Sequence, residues 1–408
     1  MQIRPILSTL RRHKIAATLV VTEIALTCAI VSNAVFLVVR RLELIHVTSG
    51  VAEHELVWIL SSGIGRAADP EARGAADLAA LREIPGVKSA SATNQIPFGH
   101  SSWNWGVSLT PDPTESSVNT TIYFGGEGLL ETLGPRLVAG RTFEHEEYLD
   151  YGELLAANGE TKLSAVIITR SLAARLFPGK IGVGETIYVG DKRPIRVVGV
   201  LDHLVRPNRL GGSDAFEYAV VTPVRAPFAM GSNFVLRTTP EERAQVLERA
   251  EKTLMQLDPN RIILEKKTFD EVRAKYFQQD RSMVGLLIGV CMALLVVTAL
   301  GIVGLASFWV AQRRRHIGIR RALGARRRDI LRYFQLENFL LASLGIGLGM
   351  PLAYGLSAVL MHQYETTRLP AMYLPIGAVV LWLLGQLAVL APALGAASVS
   401  PATATRNV

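Results

Sequence analysis

The stretch MVGLLIGVCMALLVVTALGIVGLASFWV, Met283 to Val310, decides the fold of this chain. It has 28 consecutive residues without one charged side chain. A helix of about 20 such residues crosses the roughly 30 Å hydrocarbon core of a bilayer, whereas helices buried in soluble domains are usually shorter and amphipathic. The sequence therefore predicts a membrane-spanning helix over 283–310.

Three other segments have the length and composition of membrane spans. They cover residues 15–39, 334–360 and 373–394. The whole chain of 408 residues is 49% hydrophobic and 19% charged, so it has fewer charged residues than an average soluble domain, in which they are about a quarter. We therefore expect a membrane protein with four spans, in which a short external loop over 361–372 joins the third span to the fourth.

The first of these segments has an alternative interpretation as a signal peptide. Arg11 and Arg12 precede it, and the small residues Ser32 and Ala34 are spaced like those of a cleavage site. Its apolar run of 25 residues is longer than the apolar core of a signal peptide, which favours a span.

Basic residues collect on one side of the four predicted spans. The segments before the first span, between the second and third, and after the fourth together have 14 basic residues and one acidic residue, Asp329. By contrast, Ser49 to Asp280 has 25 basic and 30 acidic residues. Because lysine and arginine mark cytoplasmic loops, we expect both termini, including the tail 395–408, on the cytoplasmic side of the inner membrane. Region 40–267 is then extracytoplasmic.

Region 40–267 has the alternating pattern of an α+β domain. Runs rich in β-branched residues predict strands, and amphipathic runs predict helices. The order of these runs is compatible with two β/α clusters separated by an inserted lobe. The predicted strands lie at 88–98, 118–126, 164–169, 185–189, 195–201, 217–224 and 233–238, and the predicted helices at 69–84, 169–177 and 239–257.

Two further helices are predicted at the borders of the membrane segments. Residues 268–282 open on a Thr268-x-x-Glu271 capping box, and we expect this helix to run without a break into the second span as a stalk. In 1–14, apolar residues repeat at helical spacing among basic ones, which indicates a helix lying in the inner interface. A simple cationic flank is the alternative for 1–14.

No pattern for nucleotide, metal or nucleic-acid chemistry was found. The string nearest to a phosphate-binding loop, FPGKIGVG at Phe177 to Gly184, lacks the required spacing and hydroxyl residue, so we expect this chain to bind no nucleotide cofactor. His145-Glu146-Glu147 does not have the spacing of a zinc site and fits a solvated acidic run. The arginine-rich loop lacks the aromatic residues of a nucleic-acid-binding module.

Few polar residues are associated with the predicted spans. Neither Glu23 nor Glu337 has a histidine or second acid beside it, which argues against an intramembrane enzyme. Glu337 is also compatible with an interfacial pair with an arginine, and Glu23 with a dimer seam. In the third span, Gly345-x-x-x-Gly349 predicts close helix packing.

The loop 311–333 combines charge with a short apolar pattern. Nine arginines lie within the 20 residues from Arg313 to Arg332. Between them, Ile317, Ile319, Ala322 and Leu323 predict an apolar ridge, and Gly324 is placed to end the helix. A short helix between two spans is suited to docking into a cleft of a cytoplasmic partner.

The segment HIGIRRALGARRRDILRYFQLENFLLASLGIGLG, 316–349, resembles the hallmark of the FtsX-like, MacB-type permease family of ABC transporters. In that family, a pattern close to E-R-x-x-E-I-G-I-R-x-A-L-G-A precedes the third span. Three more segments are similar to family segments in the same order. They are VIITRSLAARLFPGKIGVGETIYV at 166–189, LEKKTFDEVRAKYFQQDRS at 264–282 and SPATATR at 400–406.

The resemblance implies a fold, a mechanism and partners. Members have four transmembrane helices, an α+β extracytoplasmic domain between the first two, and a coupling helix between the second and third that contacts an ATPase. These type VII permeases work as dimers by mechanotransmission. The resemblance thus implies a dimeric ABC ATPase that binds ATP and Mg, a second permease copy or paralogue, and membrane lipid as partners, and it allows a periplasmic adaptor or effector.

The coupling motif of the family can be transferred position by position. It falls on Ile317, Gly318, Ile319, Arg320, Ala322, Leu323, Gly324 and Ala325. Gln312 and His316 differ from the family, which usually has glutamates there. This difference is compatible with an atypical ATPase or with a subunit that pairs with a more standard permease.

Three functions follow from these patterns. The leading one is a permease subunit that serves efflux, lipoprotein handling or control of an envelope enzyme. The alternative is a membrane-anchored receptor or sensor without transport, although only about fourteen residues follow the fourth span. The third, an intramembrane enzyme, has the least support.

Overall fold

The computed structural model of the protein describes residues 14–63, 69–99, 102–112, 117–156, 163–189, 194–208, 214–228, 232–364 and 370–398. The chain divides into two compact units. The helical unit comprises the chain up to His46 and from Gln279 onward, and the α+β unit is Val47–Gln278. Of the predicted interfacial helix 1–14, only Lys14 is among the described residues, and the segment 400–406 lies outside them.

The helices and strands are numbered in chain order. The helices are α1 (Lys14–Ile45), α2 (Pro70–Arg82), α3 (Leu129–Leu133), α4 (Tyr151–Ala156), α5 (Arg170–Leu176), α6 (Arg243–Leu257), α7 (Phe269–Tyr276), α8 (Gln278–Gln312), α9 (Arg314–Ala322), α10 (Arg327–Tyr364) and α11 (Tyr373–Ser398). The strands are β1 (Leu56–Gly63), β2 (Ser89–Thr93), β3 (Asn104–Ser108), β4 (Val118–Phe124), β5 (Leu137–Gly140), β6 (Leu149–Asp150), β7 (Ala165–Thr169), β8 (Thr186–Val189), β9 (Pro194–Leu201), β10 (Ala219–Thr222), β11 (Val224–Arg225), β12 (Ser232–Arg237) and β13 (Arg261–Thr268).

Four helices of the helical unit, α1, α8, α10 and α11, are long and apolar enough to cross a membrane. They coincide with the four predicted spans, and each of them begins or ends beyond the predicted bounds by several residues. Helix α10 packs closely on α1 through two glycines. A Cβ atom at Gly345 would lie 2.7 Å from the Cβ of Ile24, and one at Gly349 would lie 2.6 Å from the Cβ of Cys28. Small residues at this spacing let two helix backbones approach each other.

A four-stranded antiparallel sheet forms the first part of the α+β unit. Its strand order is β13-β1-β12-β2. The connections β1-α2-β2 and β12-α6-β13 give the β-α-β-β-α-β arrangement of ferredoxin-like folds. Helices α2 and α6 cover one face, where Leu81 and Val246 pack in one buried cluster with Ile59 and Phe234.

A second lobe is inserted between β2 and β12. Its main sheet has the order β5-β9-β7-β10-β4-β3-β8. Because β8 also pairs with β9, six of these strands form a closed circuit. Neighbouring residues of β4 point to different cores, since Ile122 and Phe124 lie in one buried cluster and Tyr123 in another. This inserted lobe agrees with the order of the predicted elements.

The structure differs from the sequence prediction at several places in the α+β unit. Strands β1, β3, β5 and β6 and helices α3 and α4 have no counterpart among the predicted elements. Strand β13 was also not predicted. It lies at the edge of its sheet and contains Glu265, Lys266 and Lys267, and such charges are typical of edge strands. The predicted uninterrupted stalk is also wrong, because α7 ends at Tyr276 and Phe277 forms a turn before α8 begins. The capping box of Thr268 and Glu271 is present as predicted.

Candidate coupling site

The loop between the second and third spans contains helix α9. Helical hydrogen bonding continues from α8, because the N–H of Arg313 donates to the carbonyl of Trp309 and the N–H of Ile317 donates to the carbonyl of Arg313. Gly324 has a φ of +96°, and the N–H of Ala325 donates to the carbonyl of Arg320 over 3.0 Å. A left-handed glycine followed by this bond is a Schellman stop. The helix therefore ends where the sequence predicts.

The residues of the predicted apolar ridge do not lie on one face of α9. Ile317 is 6% exposed and packs in the core of the helical unit with Ile330 and Phe334. Ile319 is 44% exposed and Leu323 is 83% exposed. Helix geometry explains this correction, since residues two apart point in different directions and residues four apart share a face. We call Ile319 and Leu323 the exposed α9 surface.

The other residues of the predicted motif divide in the same way. Gly318 is buried, Ala325 is half-buried, and Arg320 and Ala322 are exposed. The guanidinium of Arg320 lies 5.5 Å from the ring of Tyr333 on α10, which links the two helices. Gln312 and His316, which differ from the family pattern, are both exposed.

Glu337 pairs with Arg313 at the end of the second span. Arg313 donates to both carboxylate oxygens over 3.0 to 3.2 Å, and Glu337 is 1% exposed. The guanidinium also lies 5.4 Å from the ring of Trp309, one turn earlier on α8. The sequence allowed Glu337 to be part of an intramembrane enzyme site or to pair with an arginine, and the structure shows the pair with an arginine. This pair joins α8 to α10.

Asp329 stabilises the start of α10. Its carboxylate accepts a hydrogen bond of 3.0 Å from the N–H of Arg326, which precedes the first helical residue. An acidic side chain in the first turn satisfies a free N–H group and interacts favourably with the helix dipole. The single acid that flanks the spans on the arginine-rich side thus has a structural role.

Glu23 lies on α1 against the backbone of α8. A Cβ atom at Gly301 would come within 2.5 Å of a carboxylate oxygen of Glu23. One turn further along, the hydroxyls of Thr27 and Thr298 form a hydrogen bond of 2.8 Å. Glu23 thus lies against Gly301 within α8, whereas Glu337 pairs with Arg313 just after the end of α8. Within the described ranges, no three His, Cys, Asp or Glu side chains are grouped as metal ligands.

The sequence analysis missed an ion pair at the opposite end of α8. Arg41 on α1 donates to Asp280 on α8 over 2.6 Å, and Asp280 is 6% exposed. Helix α8 is therefore tied to a neighbouring span at each end, through Asp280 to α1 and through Arg313 to α10. The signal available in the sequence was one acidic residue beside a predicted span.

Arg273 of α7 forms a second cluster that the sequence analysis missed. It pairs with Glu53 and donates to the carbonyl of Val47 over 2.6 Å. Its guanidinium lies 5.1 Å from the ring of Phe98 and 5.5 Å from the ring of Phe277. Val47 follows α1 closely, and Phe277 immediately precedes α8. One side chain thus holds both chain segments that join the α+β unit to the spans.

Phe98 in this cluster has a φ of 62°, which is unusual for a residue other than glycine. Its ring is 2% exposed and lies 5.3 Å from the ring of Tyr276 and 6.5 Å from the ring of Phe216. A bulky residue holds such a backbone conformation only when its surroundings enforce it. We call Arg273, Glu53, Phe98 and Phe277 the junction cluster.

The fold and these sites define a multi-pass membrane protein. The domain between its first and second spans is of a type found outside the cytoplasm. The family model of the MacB-like periplasmic core domain matches residues 17–253, and that of the FtsX-like permease C-terminal region matches residues 287–401. The first match alone covers more than half of the chain. The protein therefore belongs to the MacB-like, FtsX-like permease family.

Proteins with sequence similarity include ATP-binding permeases. A macrolide export ATP-binding/permease protein MacB from a Shewanella species is 25% identical over 302 residues, which are 70% of this chain and 44% of that protein. A protein of the same name from Bartonella henselae is 27% identical over 291 residues, which are 67% of this chain and 39% of that protein. The chain thus spans less than half the length of these relatives.

Among solved structures, the periplasmic region of MacB from Actinobacillus actinomycetemcomitans is similar to this chain. The sequence identity is 14%, and the TM-score is 0.34. The match covers 55% of this chain and 94% of that structure.

Proposed function

We propose that this chain is the permease subunit of an ABC transporter and that it couples ATP hydrolysis by a separate ATPase to movement of its α+β unit. The arrangement of α9 is the observation that carries this proposal. One face of α9 is anchored in the helical unit through Ile317, and the opposite face exposes Leu323. A helix that is anchored on one side and exposes apolar side chains among arginines elsewhere is suited to receive a docking partner and pass its displacement to the spans.

The contacts around α8 support a route for that displacement. The ion pair of Arg313 with Glu337 links the end of α8, beside the coupling helix, to α10. At its other end, α8 is tied to α1 by Arg41 and Asp280. Both α1 and α8 lead along the chain to segments held by Arg273. In this proposal, movement at α9 reaches the α+β unit through paired charges that resist sliding of the helices.

The proposed topology places both termini and α9 in the cytoplasm of the inner membrane. The 14 basic residues that flank the spans on this side support it. The partner ATPase, not this chain, would bind ATP and Mg. Because the relatives are named for macrolide export, macrolides are the first cargo class to test.

A second permease copy and membrane lipid are proposed as the surroundings of α8. Large apolar side chains of this helix remain exposed, including Leu286 at 68% and Leu300 at 65%. Only 11% of an apolar 18-residue segment of α8 is buried inside the chain, whereas 50% of the corresponding segment of α1 is buried. In a membrane this surface contacts lipid or a second span without the penalty that it would have in water.

The test is binding of a separate ABC ATPase subunit, expressed together with this chain, to the full-length protein in nanodiscs. Leu323→Asp and Ile319→Asp should lower ATPase affinity by at least tenfold, because a docked aspartate would be desolvated without a partner. Leu323→Met is the matched control, since it keeps an apolar side chain of similar size, and it should bind like the parent. Ile317→Asp should instead lower the unfolding temperature, because Ile317 is buried.

Two results would contradict the proposal. One is parental ATPase binding by both aspartate variants on the exposed α9 surface. The other is ATP hydrolysis by the purified chain without any partner.

A further inference from the structure

A small cavity lies where all four spans of the helical unit meet. Its volume is about 20 Å³, and residues from each span line it, including Val20 of α1, Trp309 of α8, Glu337 and Asn338 of α10, and Val389 of α11. These five residues are at most 6% exposed. The side chains on this part of the cavity wall are therefore largely buried.

Two hydrogen-bond donors on the cavity wall have no partner in the protein. They are the indole N–H of Trp309 and the side-chain amide N–H₂ of Asn338. An unpaired donor is unfavourable in a buried position, and most buried polar groups in proteins bind another protein group or an ordered water. Two such donors on one cavity are a strong indication of a bound acceptor.

The packing around Asn338 leaves space for its amide. A Cβ atom at Gly385 of α11 would lie 2.9 Å from the side-chain nitrogen of Asn338. Any other residue at position 385 would push the amide away from α11. The backbone of the fourth span is thus close to Asn338 and contributes no side chain that could serve as its partner at this point.

We propose that one water molecule occupies this cavity, accepts hydrogen bonds from Trp309 and Asn338, and donates one to the carboxylate of Glu337. A cavity can hold one water molecule when its volume exceeds about 10–15 Å³. A buried water needs two to four polar partners. The volume fits one water. The carboxylate of Glu337 lines the cavity, and a carboxylate has about four acceptor positions, so it is a suitable acceptor for this bond.

The water site connects α8 to α10 beside the ion pair of Arg313 and Glu337. Water-mediated hydrogen bonds are enthalpically close to direct ones, and the water can reorient when its partners shift. The site therefore gives the second and third spans a polar contact that tolerates small displacements. This inference concerns the helical unit alone and does not depend on an ATPase partner.

The test uses full-length protein with ¹⁵N-labelled tryptophan in lipid nanodiscs, and it measures magnetisation transfer from water to each indole N–H by solid-state NMR. The Trp309 signal is assigned by its loss in Trp309→Phe. Trp382 is the matched control within the spans, because its indole N–H already donates to the hydroxyl of Ser343 over 3.1 Å. We expect transfer to Trp309 to be at least threefold stronger than transfer to Trp382.

A cavity-filling variant provides the second arm. Val389→Leu adds one methylene group at the cavity and should reduce the transfer to Trp309 at least threefold, with the Trp382 signal unchanged. If this variant does not fold, Asn338→Leu should give the same loss, because it removes one of the two donors and fills part of the space. Equal transfer to Trp309 and Trp382 in the parent, or transfer to Trp309 that survives filling, would overturn the proposal.

Discussion

Arg313 and Glu337 form a largely buried ion pair in which the guanidinium contacts both carboxylate oxygens over 3.0 to 3.2 Å. The two residues are 24 positions apart, and the arginine-rich helix α9 lies between them. The pair therefore closes the loop that contains α9 onto the third span. Its position makes it the first contact to test in the helical unit.

Removing one member of this pair should destabilise the protein more than removing both. Arg313→Met leaves the buried carboxylate of Glu337 without a counter-charge, and breaking a buried pair in this way costs about 3–5 kcal/mol. The double variant Arg313→Met, Glu337→Leu should recover most of that loss. Thermal unfolding of the four proteins in nanodiscs measures the coupling, and simple additivity of the two single effects would show that the pair contributes little.

Gly324 should be sensitive to substitution because of its backbone conformation and not because of crowding. Its φ is +96°, whereas a Cβ atom built there meets no atom within 4 Å. Gly324→Val should therefore destabilise the end of α9 by about 1–2 kcal/mol, the usual penalty for a left-handed residue with a side chain. Gly324→Asn is the control, since asparagine tolerates this conformation, and it should retain ATPase binding. Equal binding by the valine and asparagine variants would rule out a role for the helix stop.

The junction cluster should depend on the shape of Arg273 as well as its charge. Arg273→Lys keeps the positive charge but loses the planar group that lies near two aromatic rings and reaches Glu53 and the Val47 carbonyl together. We expect a loss of about 2–3 kcal/mol in unfolding free energy, based on hydrogen bonds to charged groups. The outcome is measured by urea unfolding followed through tryptophan fluorescence.

Arg243→Lys is the matched control for Arg273→Lys. Arg243 of α6 pairs with Asp270 of α7, the helix that also contains Arg273, and the side chain of Asp270 is 38% exposed. Partly exposed ion pairs contribute about 0–1 kcal/mol, so this variant should unfold almost like the parent. If the two lysine variants unfold alike, the junction cluster has no special role.

Acid should weaken the α+β unit through Glu147. Two hydrogen bonds of 2.8 Å from Arg141 lower the pKa of Glu147 from its ordinary value, against the opposing effect of burial. A carboxylate whose pKa is lowered on folding stabilises the protein above its unfolded pKa of about 4.3, and this contribution is lost as the pH falls through the folded pKa. Glu147→Gln should therefore be less stable than the parent at pH 7 and approach it below about pH 4.

The pH dependence is measured as the unfolding temperature of full-length protein at each pH. Glu146→Gln serves as the control, because Glu146 is its exposed neighbour in the same short turn. A constant difference between parent and Glu147→Gln at all pH values would show that Glu147 does not contribute through its charge.

The membrane topology predicts labelling from opposite sides. Glu146→Cys and Arg326→Cys are introduced into a chain in which Cys28→Ala and Cys291→Ala have removed the native thiols. A membrane-impermeant thiol reagent should label position 146 only from outside and position 326 only from inside, as the distribution of basic residues requires. Labelling of both positions from one side would overturn the four-span arrangement.

The sequence by itself determined the four spans, because the length and apolar character of Met283 to Val310 depend on no other part of the chain. Gly324 was likewise predictable as a helix stop, since a local backbone conformation is a property of a few neighbouring residues. Most strands of the α+β unit were also visible from local alternation. Strands β1, β3, β5 and β13 were not predicted, and the apolar and charged residues of β13 make sense only at the edge of a sheet.

Only the tertiary structure decided which residues meet. The burial of Ile317 and the exposure of Leu323 follow from the side on which α9 packs, and the sequence pattern treated both residues alike. The pairing of Arg313 with Glu337 depends on the packing of α8 against α10, since eight other arginines in the same loop carry the same charge. Arg273 reaches Glu53 across 220 positions of the chain. Such contacts arise from long-range packing, which determines the partner of each charged group. The sequence alone indicates only that a buried charged group needs a partner.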